Sequence, residues 1–360
     1  MFCVRRLTCN RGLSRCKTPL VQSRLSSSSS SSFMYFYNDI YKVPLPLSHK
    51  FPMEKYKYVR EGLQAHIDPH LVEATFNVSP LATVDELITA HCPEYVRRYM
   101  SGELTEREIR ATGFPWTQAG VNRSLSSVGG TLACMRHVMD RQRTSADGAF
   151  KVAAHLAGGT HHAFRDRGEG FCLFSDIAVA AHVALKEYPE ILDTEGAEKG
   201  RIMIIDLDVH QGNGNAKLFE DDPRVFTFNV HCAGNLFSQR QISDIDVDIP
   251  NGCKGDEYLK QLSHWLPFLF ENIKPQLIFF QAGVDILEND RLGKLALTRD
   301  DVRKRNSLIY EASIKHDIPL VVTMGGGYPK DINPESVSFK EVIGAHTDVY
   351  SQIVDTWSAK

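Results

Sequence analysis

The rhythm of apolar positions changes near residue 150. Beyond it, short apolar runs without polar interruption alternate with longer stretches at helical spacing. Ile202-Met-Ile-Ile205, Leu277-Ile-Phe-Phe280 and Leu320-Val-Val322 are runs of the first kind. Such runs mark parallel strands covered on both faces. The pattern predicts strands over 151–156, 202–207, 225–230, 277–281 and 320–323. It predicts helices over 175–187, 215–220, 256–272, 298–316 and 346–357. Thr298-Arg-Asp-Asp301 reads as a helix start, with Thr as N-cap and acids in the first turn. Repeated strand–helix units predict an α/β fold: a single domain with a mainly parallel central sheet and helices on both faces. There is no internal sequence repeat.

Residues 34–150 are less regular. Residues 35–41 read as an edge strand or extended arm, 54–63 and 84–99 as helices, 105–110 as a short charged helix and 126–138 as a helix with small residues on one face. Phe114-Pro-Trp116 falls in a loop. This half reads as scaffold and rim, without a catalytic group. Residues 1–33 read differently again. They carry Arg5, Arg6, Arg11, Arg15, Lys17 and Arg24, no acid, and a serine run from Ser26 to Ser32. That is the composition of a transit peptide, the alternative being a disordered tail. The expectation is a tail over 1–33 and a catalytic domain over 34–360. The full-length chain then goes to an organelle, chloroplast or mitochondrion, and a form started at Met34 stays in nucleus or cytoplasm.

Composition narrows the class. The chain has 360 residues, 42% hydrophobic and 24% charged, with net charge −3. Nothing in that balance suggests direct nucleic-acid binding. No apolar run approaches the roughly 18 residues of a membrane span. Eight cysteines without a C-x-x-C pair fit reduced thiols better than a disulfide framework or a zinc ribbon.

Chemistry gathers after the strands. Open parallel sheets place their sites beyond the carboxyl ends of the strands. Strand 151–156 leads to His161-His162, 202–207 to Asp208 and His210, 225–230 to His231, 277–281 to Asp285, and 320–323 to Tyr328. Asp206, Asp208 and His210 alternate, so a strand turns them to one side. Bare carboxylates on a buried strand are costly, and a cation is the simplest compensation. Asp208, His210 and Asp285 offer three ligands. Three ligands and one open position is the catalytic arrangement for zinc, whose bound water has a pKa near 7. Iron(II) or manganese would also suit this set.

The other groups supply proton transfer and polarisation. One of His161 and His162 can serve as general base. Each needs a partner to fix its tautomer, and Asp206 and Asn213 are available. A carboxylate partner raises an imidazole pKa more than an amide does. If Asp206 pairs with His161 and Asn213 with His162, then His162 is the better base. Gly325, Gly326 and Gly327 let the following Tyr328 approach a substrate closely, where its hydroxyl could polarise a carbonyl. Phe171, after Gly170, could wall a narrow apolar channel.

As a set, these motifs resemble the histone deacetylase family of the arginase/deacetylase fold. The matching segments are Gly159-Thr-His161-His162-Ala, Gly168-Glu-Gly170-Phe171-Cys172, Asp206-Leu-Asp208-Val-His210-Gln-Gly-Asn-Gly214, Ala282-Gly-Val-Asp285 and Gly325-Gly-Gly-Tyr328, in the family's order over about residues 40–350. The His-His-Ala-Phe-Arg-Asp-Arg-Gly-Glu-Gly-Phe-Cys form is most similar to the class IV branch and its bacterial relatives. The resemblance implies one zinc ion on Asp208, His210 and Asp285, His162 as acid/base beside His161, and Tyr328 on the acyl carbonyl. It implies a channel for acyl-lysine lined by Phe171, in histone tails or other proteins, and membership of a corepressor complex. It also implies a structural potassium ion at Asp206 and nearby carbonyls, where Asn229 replaces the serine of many members.

Two further features depart from the family pattern. Between Glu108 and Asp140 there is no acid to serve as the rim aspartate of many members. The second channel aromatic is expected after His231, with Leu236 and Phe237 the candidates. The alternative reading is a small-molecule amide hydrolase such as an acetylpolyamine deacetylase. An arginase-like dimetal site would need bridging acids that Gly212 and Gly283 do not provide. Intact site residues argue against an inactive scaffold.

Overall fold

The computed structural model describes residues 32–46, 49–144, 150–192, 201–235 and 237–359. Residues 1–31, to which most of the proposed transit segment belongs, lie outside them, as does Leu236. The strands are β1 (Phe33–Tyr37), β2 (Ala74–Val78), β3 (Val152–His155), β4 (Ile202–Asp206), β5 (Val225–Cys232), β6 (Ile245–Ile249), β7 (Leu277–Gln281) and β8 (Leu320–Thr323). The helices are α1 (Lys55–His66), α2 (Val84–Leu87), α3 (Pro93–Met100), α4 (Glu106–Thr112), α5 (Gln118–Thr144), α6 (Asp176–Glu187), α7 (Pro189–Leu192), α8 (Asn213–Leu218), α9 (Gly255–Pro267), α10 (Arg299–Lys315) and α11 (Val337–Ser358).

The strands form one 8-stranded sheet in the order β2-β1-β3-β8-β7-β4-β5-β6, and every pairing is parallel. The apolar runs lack alternation because both faces are buried. Met203 and Ile205 enter one core with residues of α1, α9, α10 and α11, whereas Ile202 and Ile204 enter another with residues of α3, α5 and α6. Each such fully buried side chain stabilises the fold by about 1.5–3 kcal/mol. All strands point the same way, so the loops after β3, β4, β7 and β8 open at one edge in the middle of the sheet. No helix among the described residues is long and apolar enough to cross a membrane.

Several boundaries differ from the sequence expectation. β1 is not an edge strand; it lies between β2 and β3. It also starts at Phe33, one residue inside the stretch assigned to the tail. Phe33 is 1% exposed, stacks on Phe150 at 4.7 Å and donates its N–H to Glu73 O at 2.9 Å. The edges are β2 and β6, short strands that the apolar runs did not reveal. The helix expected over 84–99 is two, α2 and α3. Pro93 has no N–H to donate and occupies the first turn of α3, so a new helix starts there. α5 and α11 are longer than expected, the latter starting after Ser336, which caps Phe339 N. The helix expected over 256–272 becomes a π-helical turn, Phe268–Ile273, after Pro267. Thr298 caps α10 as expected, accepting from Asp301 N.

Candidate metal and active site

The carboxyl ends of β4 and β7 bring together two acids that water does not reach. Asp208 is 1% exposed and Asp285 is fully buried. His210 Nδ1 lies 3.2 Å from Asp208 Oδ1 and 3.2 Å from Asp285 Oδ2. Ligand atoms of the three residues all lie within 4.8 Å of one another. A tetrahedral zinc site with bonds near 2.1 Å separates its ligand atoms by about 3.4 Å, so the trio fits such an ion. The outer oxygens are already held: Val209 N–H donates to Asp285 Oδ1 at 3.0 Å and Gly326 N–H to Asp208 Oδ2 at 2.7 Å. Only glycine permits that last approach, since a Cβ at residue 326 would lie 2.0 Å from Asp285 Oδ2.

Electrostatics show the same demand for a cation. Burial opposes charge on His210, but hydrogen bonds from its ring to Asp208 and Asp285 outweigh it and raise its pKa to about 10. Burial, then the neighbouring Asp208, pushes Asp285 up to about 6. Both shifts share one cause, buried carboxylates facing a single ring, and a bound cation would relieve it.

The tandem histidines have separate partners. His161 Nδ1 is 2.7 Å from Asp206 Oδ2, and His162 Nδ1 is 2.7 Å from Asn213 Oδ1. Their rings are 3.9 Å apart. Asp206 accepts from His161, and the Asn213 oxygen accepts from His162, which leaves Nε2 of His162 free. Burial lowers the His161 pKa, yet Asp206 and Asp208 bring the balance above the ordinary value. Burial, followed by the charges of His161 and His210, holds His162 well below it. The two rings are therefore pushed in opposite directions, His161 towards its protonated form and His162 towards a neutral base. Their loop hangs on Asp176, a buried carboxylate at the start of α6. It accepts from Gly159 N at 2.9 Å, Thr160 N at 2.7 Å and Thr131 Oγ1 at 2.5 Å.

Tyr328 closes the site after β8. Burial, then the field of Asp285 and Asp208, pushes its hydroxyl pKa well above 10, so it keeps its proton. Its backbone N–H donates to Asp290 Oδ2 at 2.6 Å. Lys55, 1% exposed on α1, points Nζ at the carbonyls of Gly325 (3.2 Å) and Gly327 (3.3 Å) in the loop before it. Phe171 has a left-handed backbone (φ 65°) and lies 5.9 Å from the Tyr328 ring, 5.1 Å from Phe51 and 5.3 Å from Phe114. Across the site, Phe237 meets His162 edge-on at 4.6 Å and His210 at 5.7 Å. Gly170 lets these parts close up, because a Cβ there would lie 2.7 Å from the Phe237 ring and 2.9 Å from His162.

The histone deacetylase domain model matches residues 49–340. The chain belongs to the histone deacetylase family. It is 37% identical over 319 residues to an uncharacterized protein of Picosynechococcus sp., covering 88% of this chain and 99% of that one. It is 29% identical over 318 residues to histone deacetylase 2 of Arabidopsis thaliana, covering 86% and 76%. Acetoin utilization protein AcuC of Staphylococcus aureus is 27% identical over 320 residues, covering 83% and 77%. The sheet and its surrounding helices form the arginase/deacetylase-like α/β fold, and the chain is a hydrolase of the deacetylase family.

Within this deacetylase, most site residues named from sequence converge: Asp206, Asp208, His210, Asn213, Asp285, His161, His162, Gly170, Phe171 and Tyr328. His231 does not. It is buried inside β5, with Nε2 3.1 Å from Asp248 Oδ1, away from the trio. Four strand ends, not five, supply the site. The potassium expectation gains no support. Asn229 Oδ1 accepts from Gly212 N–H at 2.9 Å and its Nδ2 donates to Ser243 Oγ at 2.8 Å, so the amide already serves two protein bonds. The first half is also more than scaffold and rim. His49, Phe51, Lys55 and Phe114 surround Tyr328 and Phe171. The sequence carried one hint of this, the Phe114-Pro-Trp116 loop, but no spacing rule links it to Phe171.

Proposed function

We propose that the chain is a zinc-dependent hydrolase of the N6-acetyl-lysine amide bond, acting on histone tails or other proteins. The observation that carries this is the Asp208–His210–Asp285 trio placed beside the free Nε2 of a neutral His162. Zinc is preferred over iron(II) or manganese because three ligands with an open position is its catalytic arrangement. Held by these residues, the ion would polarise the acyl carbonyl and lower the pKa of a water. His162 takes the proton from the attacking water at Nε2 and later gives it to the leaving lysine amine. His161, charged against Asp206, stabilises negative charge as it develops. The Tyr328 hydroxyl donates a hydrogen bond to the acyl oxygen. Phe171 and Phe237 flank the site and exclude water from the lysine methylenes.

The test is turnover of acetyl-lysine peptides by purified protein, with chelator and with zinc restored. Peptides carrying acetyl through myristoyl groups define acyl preference, and an acetylpolyamine serves as competing substrate. Loss of activity with chelator and recovery with zinc is expected. Elemental analysis showing two transition-metal ions per chain would overturn the single-ion site. We further propose import of the full-length chain into an organelle, on the composition of residues 1–33. A fluorescent fusion to that segment left diffuse in the cytosol would refute it.

A further inference from the structure

Among the described residues, the largest side chain wholly enclosed in the fold is a cation, Arg305 on α10. Among the described residues no carboxylate hydrogen-bonds to it. Its guanidinium bonds go elsewhere. Nε and Nη2 donate to Asn306 Oδ1 at 3.1 and 2.8 Å. Nη1 donates to Gly283 O at 2.5 Å and Leu207 O at 3.3 Å, and Nη2 to Ala282 O at 3.2 Å. A guanidinium has five N–H groups in a fixed planar fork, and five bonds use them.

The three carbonyls have one thing in common. The β4–β7 ladder ends at the pair Asp206–Gln281. Leu207 lies just past that point on one strand, and Ala282 and Gly283 just past it on the other. The next residues on these two paths include the metal-site acids Asp208 and Asp285. Burying a guanidinium without a bonded carboxylate is costly unless its donors are satisfied and its charge is used. Here the donors are satisfied by the strand ends, and the charge sits beneath two buried acids that repel one another.

We infer that Arg305 is a positioning residue for the metal site, fixing the ends of β4 and β7 at the separation that lets Asp208 and Asp285 share one ion. This rests on the metal reading above. The fork grips both strand ends from behind, so the acids keep their spacing when the ion is absent. Lys at this position would keep the charge but lose the fork.

The experiment compares wild type, Arg305→Gln and Arg305→Lys with Tyr310→Phe. The control deletes a buried hydrogen bond on the same helix, from Tyr310 Oη to Val349 O at 2.7 Å, without touching a strand end. Zinc affinity is measured by competition with a chromophoric chelator, and site geometry by the visible spectrum of the cobalt(II) form. Kinetics use an acetyl-lysine peptide at saturating zinc. Arg305→Gln is expected to weaken zinc about 10–100-fold, the range for lost outer partners of a metal site. It should also shift the cobalt band and lower kcat with KM unchanged. Arg305→Lys should recover part of each effect, and Tyr310→Phe should lose thermal stability while keeping wild-type zinc affinity. Wild-type affinity and spectrum in Arg305→Gln, or an equal zinc loss in Tyr310→Phe, would overturn the inference. Should Arg305→Gln fail to fold, Arg305→Lys decides: a wild-type affinity and cobalt band there overturn it. A wild-type protein that binds no divalent ion would remove the metal reading and this inference together, an outcome distinct from the others.

Discussion

Asp208 and His210 reach the site from the end of one strand, while Phe51 and Phe114 reach it from loops far apart in the chain. The floor of the site is polar and bonded atom by atom. Each acid oxygen facing away from the trio has a named backbone donor, and each of the tandem histidines has a partner at 2.7 Å. The wall is apolar, and its rings touch at centroid distances of 5.1–5.9 Å. Hydrogen bonds are directional and costly to leave unmade, whereas ring packing is adaptable. Substitutions in the floor should therefore fail abruptly, and those in the wall by degrees.

The largest effect is expected from Asp285→Ala, which removes a ligand and leaves Asp208 without its counterpart. Both bound metal and activity should vanish, as read by elemental analysis and peptide turnover; a stoichiometric ion in that variant would break the contrast. Next come His162→Ala, with kcat lower by about 10²–10⁴-fold, and Tyr328→Phe, lower by about 10²–10³-fold with little change in KM. His161→Ala should be milder, because His161 holds a charge and does not move the proton. All three should retain zinc, and a His162→Ala enzyme with near-normal kcat would refute the proton-transfer role.

The wall should respond more gently. Phe114→Ala removes a half-buried ring and should cost up to about 3 kcal/mol of stability, raising KM more than it lowers kcat. A kcat loss as deep as that of His162→Ala would erase the distinction between floor and wall. The smallest effect concerns the support of the wall. The ion pair with Arg98 is the main reason Glu108, on α4 beneath the Phe114 loop, has its pKa lowered to about 2. Its stabilisation is present above the unfolded value of about 4.3 and is lost as pH falls through 2. Melting curves of wild type and Glu108→Gln should differ by less than about 1 kcal/mol at pH 6 and converge near pH 2.

The floor was legible in the sequence because Asp206, Asp208 and His210 alternate at the end of an apolar run, although β4 stops at Asp206 and the segment after it carries the other two. The sequence offered Asp206 and Asn213 as partners for the tandem histidines and left the pairing conditional; the fold pairs His161 with Asp206 and His162 with Asn213. Of the wall only Phe171 and the candidate Phe237 were legible; that His49, Phe51 and Phe114 gather around Phe171 follows only from the tertiary fold. Lys55 and Arg305 were invisible for a related reason. A basic residue on a helix normally faces water, and only the packed structure shows these two turned onto backbone carbonyls. β2 and β6 escaped because Ala74–Val78 and Ile245–Ile249 are edge strands with polar positions, unlike the unbroken runs of the centre.

The position of Phe33 sets a limit on how the chain can be trimmed. A protease that strips the leading segment must leave Phe33 in place to keep the stacking on Phe150 and the first rung against β2, and a form initiated at Met34 lacks both. Cutting one residue later uncovers the Phe150 ring and frays a strand that has neighbours on both sides. An expression clone that retains Phe33 should therefore resist proteolysis better than one beginning at the next methionine, and the difference is a single side chain.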